Sequence, residues 1–416
     1  MSRIIAYSAR ILVGCILAMP YAGSLGAQSL RRGMPRPKGA VADTNDAQAY
    51  FDYGVRFFVD DPKAAAAAFY WAARINPGSA DAWYARRAAV LMTDDGLRRT
   101  FIDGGRRARD SKKLRALDSL YLRALNLNPL LYRRLDKRLL MAHIAQEMQR
   151  DVRLGGSDVS RGEAERMIES WLTRNSERPE LRAWVAYGNR QFDQALGLYA
   201  AAEKTAKFKA DFRIERGRIF GMTGQVDSAL AQFQLALTEL RSHDTEDLVY
   251  FYDSKALFEH TIGMLLEQEN DFAGAREAYA RALQEDLAFY PAHQRLGLLA
   301  LGMHDTTTAL SELDLAVQIA GDEPFLRYVY GWALAAAGKY QEASEQLKQA
   351  VTIEPYFALP QVTLGRVYEQ LFDGKSAQAA YTAFLALASQ KDPQRELART
   401  RLREVTEILG GVPHKP

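Results

Sequence analysis

The chain runs to 416 residues, of which 48% are hydrophobic and 25% charged, with a formal net charge of +3. That is two to three domains at about 150 residues each, too apolar and too nearly neutral for a disordered chain. With 14 Pro, 29 Gly, one Cys and six scattered His, the composition excludes collagen-like sequence, a disulfide framework and a multi-thiolate metal site.

Residues 1–27 carry Arg3 and Arg10, an apolar run from Ile11 to Met19, and the small-residue end Leu25-Gly26-Ala27. These are the three parts of a secretory signal peptide, with cleavage expected after Ala27. The run is too short to cross a bilayer, which takes about 20 residues. Leu12-Val13-Gly14-Cys15 also resembles a lipoprotein box, so a lipid on Cys15 is the alternative. Cleavage at Ala27 leaves no cysteine, which suits an exported protein of a bacterial periplasm or envelope. Residues 28–46, with Arg31, Arg32, Pro35 and Pro37, read as a basic disordered leader.

From there on the sequence repeats. Gly263, Gly297, Gly331 and Gly365 stand 34 residues apart. Ala275, Ala309 and Ala343 keep that step, as do Ala282, Ala316 and Ala350, with Tyr279, Leu313 and Leu347 between the two alanine columns. Two helices cross closely only where a residue lacks bulk, and a large apolar residue fills the space beside the crossing. A period of 34 with small residues at positions 8, 20 and 27 and a bulky one at 24 resembles the tetratricopeptide repeat. The resemblance implies an all-α fold: a right-handed superhelical solenoid of antiparallel helix pairs, about nine repeats with a C-terminal capping helix. In chain order the units begin near Ala47, Ala80, Leu130, Ser176, Ala210, Ala256, Tyr290, Pro324 and Ala358, and residues 393–409 form the cap. Those within 47–175 are divergent and stretched, those within 176–392 are regular, and His243 to Lys255 is an insertion between the fifth and sixth.

Chemistry-bearing motifs are nearly absent. Gly374-Lys375-Ser376 resembles the end of a phosphate-binding loop, but Glu369 stands where that loop needs its first Gly. No zincin or nucleophile-elbow motif occurs, and His260, His293 and His304 are single residues in separate repeats. No catalytic residue, metal ligand or cofactor site is assigned, and the chain is not expected to be an enzyme.

Two surfaces stand out instead. Residues 98–138 hold thirteen Lys or Arg against four Asp, while the rest of the chain after Ala27 sums to −8. The candidate basic patch is Arg98, Arg99, Arg106, Arg107, Arg109, Lys112 and Lys113, suited to an anionic membrane surface or an acidic partner. Nucleic acid is not expected, because export removes the chain from it and no aromatics are interleaved for base stacking. The second surface follows from the resemblance, in which the first helix of each pair lines a concave face through repeat positions 2, 5, 9, 12 and 13. On this sequence that face offers Phe325, Tyr328 and Trp332, with Leu298 and Leu301 on one side and Leu359, Val362 and Arg366 on the other. Phe325, Tyr328 and Trp332 fall at i, i+3 and i+7, one helical face. The Asn at position 9 that grips a C-terminal carboxylate in some family members is missing, since Met264, Leu298, Trp332 and Arg366 occupy it.

The expected function is therefore an exported scaffold holding a protein or peptide partner on its concave face in an envelope process. The alternative is an assembly factor at an anionic surface through residues 98–138. A third reading, an enzyme with its site within 80–175, finds no catalytic cluster there.

Overall fold

A computed structural model of the chain describes residues 34–37, 39, 41–102, 111–153, 160–175, 177–243 and 254–410. Within them lie twenty α-helices and no strand. Six regular antiparallel pairs form a solenoid: α8 (Pro179–Gly188) with α9 (Phe192–Thr205), α10 (Ala210–Met222) with α11 (Val226–Ser242), α12 (Lys255–Gln268) with α13 (Phe272–Glu285), α14 (Tyr290–Gly302) with α15 (Thr306–Ile319), α16 (Pro324–Ala336) with α17 (Tyr340–Ile353), and α18 (Leu359–Gln370) with α19 (Gly374–Leu387). Three looser pairs precede them: α1 (Ala47–Phe57) with α2 (Pro62–Ile75), α3 (Ala80–Thr93) with α5 (Ser111–Leu127) around the short α4 (Asp95–Ile102), and α6 (Asp136–Arg153) with α7 (Arg161–Asn175). Helix α20 (Arg395–Leu409) closes the array by burying Ala398 and Val405 against Tyr381 and Phe384.

The columns have a direct physical meaning. A Cβ placed on Gly263 would lie 2.4 Å from the Tyr279 ring, on Gly365 2.5 Å from Tyr381, and on Gly331 2.7 Å from Leu347. Each glycine thus sits beneath the bulky residue sixteen positions on, at a crossing with no room for a side chain. Ala275, Ala309 and Ala343 are fully buried at the same crossings.

The turns inside the regular pairs share one design. The residue at repeat position 15 is left-handed in all six: Arg190, Gly224, Asn270, His304, Gly338 and Phe372, with φ between 56° and 76°. The next amide then donates back across the turn at 2.9 Å, as from Asp271 to the Leu266 carbonyl and from Asp305 to that of Ala300. This 6→1 bond is the Schellman closure of a helix C-terminus. Asp271, Asp305 and Asp373 then cap the second helix by accepting from the backbone N–H three residues on. Gly374-Lys375-Ser376 is accounted for as this capped turn.

The first helices do not simply extend the array; they fold back against it. The core of α1–α5, containing Phe51, Trp71, Trp83 and Tyr121, is continuous with Leu257, Tyr279 and Phe289 of α12–α14 and the turn between them. Against the row of turns that leads into each first helix, Arg123 pairs with Glu323 and Arg74 with Glu354, while Trp71 meets Tyr356 edge-on at 4.8 Å.

The signal peptide, Cys15, Arg106, Arg107, Arg109 and the insertion between α11 and α12 (244–253) lie outside the described residues. The described part of the expected disordered leader is anchored, which corrects that expectation. The Met34 carbonyl accepts from the Trp71 indole, and the Arg36 guanidinium lies 4.5 Å over Trp71 and 5.5 Å over Tyr356. Asp43 accepts from the Ser389 hydroxyl and the Gln390 amide, and Asn45 donates to the Ala386 carbonyl. Aromatic faces and turn donors on both sides outweigh the freedom of a Pro-containing strand.

Candidate partner-binding face

The first helices α14, α16 and α18 carry every residue assigned to the concave face. On α16, Phe325 and Tyr328 lie 6.2 Å apart, and the Tyr328 ring meets Phe357 at 5.4 Å in an edge-on contact. Burial pushes the Tyr328 hydroxyl up, against the lowering pull of Thr363 and Arg366. Trp332, one turn further along, remains 43% exposed. Leu298, Leu301 and Leu359 are half-buried and Arg366 is exposed. Of the residues assigned to this face, Trp332 and Arg366 are thus exposed, and Leu298, Leu301, Tyr328 and Leu359 are partly accessible.

Two assigned residues are elsewhere. Val362 is 1% exposed and packs among Ala377, Tyr381 and Phe384, so it belongs to the α18–α19 core. Phe325 is half-buried, and a Cβ on Gly78 would lie 2.8 Å from its ring. The turn between α2 and α3 therefore already covers it.

The chain covers other parts of the same face itself. Leu130 inserts against α10, where a Cβ on Gly221 would lie 2.9 Å from it. Arg133 pairs with Glu215 at 2.6 Å, and its backbone N–H donates to the Tyr187 hydroxyl. Burial alone would raise the Glu215 carboxyl, but Arg133 and Arg218 hold it below the ordinary range, so the pair stays charged. These occupants were missed in the sequence; the opposite charges of residues 98–138 and the remainder were the available signal.

The basic patch is likewise changed. Arg98 is 4% exposed and donates to the Leu91 and Met92 carbonyls and to Asp95, closing the end of α3 rather than facing solvent. Arg99 lies on α4, and Lys112 and Lys113 lie on α5. Further along the segment, Lys137 pairs with Glu169 and Arg138 donates to the Val55 carbonyl.

Among the described residues no three His, Cys, Asp or Glu gather as a metal site, and no helix is long and apolar enough to cross a membrane. His260 is buried against Tyr279 and Phe289, and burial pushes its imidazole down to about 3. His293 shares a 2.7 Å hydrogen bond with Glu312, and His304 occupies a left-handed turn.

Residues 326–357, spanning α16, α17 and the turn beyond, match the tetratricopeptide repeat family model. No curated protein matches the chain. Among solved structures, the C-terminal part of a TPR repeat-containing protein from Cytophaga hutchinsonii is similar over 55% of this chain and 86% of its own, at 14% identity and TM-score 0.43. YrrB, described as a TPR protein with an unusual peptide-binding site, is similar over 49% of this chain and 98% of its own, at 19% identity and TM-score 0.39. MamA from Desulfovibrio magneticus RS-1 is similar over 43% and 94%, at 20% identity and TM-score 0.36. The matched unit and its neighbours share one crossing, a glycine beneath a Leu or Tyr with buried alanines beside it, repeated at 34-residue steps. The chain thus carries a tetratricopeptide repeat at residues 326–357, within a row of helix pairs built on the same crossing.

Proposed function

We propose that this protein is an exported, non-enzymatic scaffold that holds a peptide segment of a partner protein across the open part of its concave face. The observation that carries the reading is Trp332: a large aromatic left 43% exposed on the first helix of a well-packed pair, with the half-buried Leu298, Leu301 and Leu359 on the first helices of the adjoining pairs. Exposed aromatics in partly apolar concavities are the usual anchors of recognition. The exposed Arg366 beside them suits a carboxylate on the same peptide. Export rests on residues 1–27, and the terminus after processing is Gln28 in this reading; terminal sequencing that finds Met1 intact would refute it. The alternative at an anionic surface loses support, since Arg98, Arg123, Arg133 and Lys137 are engaged within the chain.

A photo-crosslinking residue in place of Trp332 should capture a partner from envelope extract. The same residue in place of Leu315, exposed on the second helix of the neighbouring pair, should not. Trp332→Ala should then weaken that complex by about 2 kcal/mol or more and barely shift the melt. Val362→Ala should do the reverse, since a buried side chain of this size contributes about 2 kcal/mol to folding. Equal capture at both positions, or an affinity unchanged by Trp332→Ala, would refute the assignment.

A further inference from the structure

Where the N-terminal helices meet the first regular pair, α1, α6 and the turn after α8 enclose a cleft of about 470 Å³. Its charged lining is unequal: Arg134, Lys137, Arg138 and Arg190 face one carboxylate, Glu169. Lys137 is engaged with that carboxylate at 2.7 Å and with the Asn189 side chain. None of the three guanidiniums forms an ion pair with a carboxylate of the described residues. Among the described residues Arg138 makes one hydrogen bond, to the Val55 carbonyl. Arg190 makes no hydrogen bond or ion pair through its side chain with the described residues. Arg134 lies against Phe51 and Tyr132, with a buried Nε that has no acceptor. Asp81 acts on Arg134 through space but forms no ion pair with it.

The guanidiniums converge. Those of Arg134 and Arg190 lie 5.8 Å and 5.9 Å from the centre of the same Tyr132 ring. Burial raises the Tyr132 hydroxyl, and Arg190, Arg134 and Arg138 each pull it back down. Four cations lining the cleft against the single carboxylate of Glu169 raise the energy of the empty cleft, and an anion entering it relieves that repulsion. Guanidinium is also the group whose planar donors fit a carboxylate or phosphate two at a time. Val55, Val59 and Met141 supply apolar walls beside Tyr132. The volume falls in the range of sites for small organic ligands.

We propose that this cleft binds a small organic anion carrying two or more oxyanion groups, held by Arg134, Arg138 and Arg190 with its body against Tyr132. The site is separate from the Trp332 face and does not depend on it. Calorimetric titration of the full chain with fructose 1,6-bisphosphate and with citrate, at low and high salt, tests it. The expected result is saturable binding of one equivalent, weakened by salt, with the tighter of the two anions identifying phosphate or carboxylate. Arg134→Gln combined with Arg190→Asn should weaken binding at least tenfold, and Asn tolerates the left-handed backbone at 190. Should that variant melt early, the exposed Arg138→Gln should still weaken binding several-fold. No saturation with either anion, or equal affinity in the variants, would overturn the proposal. Binding of hexaglutamate without either small anion would also overturn it, giving the cleft to an acidic peptide.

Discussion

The glycine column allows a graded test, because four equivalent crossings differ in how tightly they close and in the residue that closes them. A Cβ would lie 2.4 Å from Tyr279 at Gly263, 2.5 Å from Tyr381 at Gly365, 2.7 Å from Leu347 at Gly331 and 3.1 Å from Phe233 at Gly217. Replacing a helical Gly by Ala gains about 1 kcal/mol of helix propensity wherever the methyl fits. Overpacking a close contact costs about 1–3 kcal/mol. At Gly217 a shift of a few tenths of an ångström suffices, so Gly217→Ala should be within about 0.5 kcal/mol of neutral. At Gly263 a methyl meets the ring well inside van der Waals distance. The ring is also tethered, since the Tyr279 hydroxyl donates to Glu267 at 2.7 Å. Gly263→Ala should therefore destabilise by about 2 kcal/mol net, with Gly365→Ala close behind and Gly331→Ala intermediate, because Leu347 has other rotamers. Contacts in a solenoid are nearest-neighbour, so the loss should be read locally. Hydrogen exchange of the amides in α12 and α13 should accelerate in Gly263→Ala, while those of α18 and α19 stay unchanged. An inverted order, with Gly217→Ala the most damaging, would refute the account of these crossings.

Three further outcomes follow from other parts of the molecule. His260 lies below its ordinary value of 6.5 because burial, and secondarily Arg295, disfavours the imidazolium, so the unfolded state binds the extra proton. Its contribution is complete above pH 6.5 and is lost as pH falls towards 3, by about 1.4 kcal/mol per unit at most. Chemical denaturation of wild type and His260→Phe should thus diverge by about 2–3 kcal/mol between pH 7 and pH 4.5, and parallel curves would exclude this cause. Phe372 adopts a left-handed backbone while 96% exposed, so Phe372→Gly should stabilise by about 0.5–1 kcal/mol in a melt. Glu323→Gln leaves the Arg123 charge without its partner and should cost about 2–4 kcal/mol. That loss should appear as faster exchange in α2 and α5 with α18 and α19 unaffected, and a uniform change along the chain would contradict it.

The regular pairs were legible in the sequence because each crossing demands a small residue at a fixed step, and that demand is written into Gly263, Gly297, Gly331 and Gly365. The open face was legible in part. Trp332 is exposed as its position implies, whereas Phe325 shares its helical face but lies in the first turn of the helix, where the α2–α3 turn reaches. Angular position on a helix says nothing about reach along its axis. Val362 fails for a related reason, since position 5 of the last regular unit turns toward the second helix of its own pair. The docking of the N-terminal helices left no periodic trace, because its contacts join residues at unequal separations, among them 32 positions for Lys137–Glu169 and 200 for Arg123–Glu323. It left a charge trace: Arg123, Arg133 and Lys137 come from the basic segment, and Glu323, Glu215 and Glu169, which receive them, lie outside it.

The contacts of Asp43, Asn45 and Asp46 with residues 386–391 span separations of 341 to 347 positions. An open repeat array unzips from its free ends, each outer unit fraying at little expense to the middle. Here the segment ahead of the first repeat is clasped to the end of α19 and the turn after it, so the first and the last regular unit do not fray independently. The clasp also sets an order of events. Its two halves are synthesised at least 341 residues apart, so it can close only after the segment around residues 386–391 has emerged. Until then the N-terminal helices remain available to other binding surfaces.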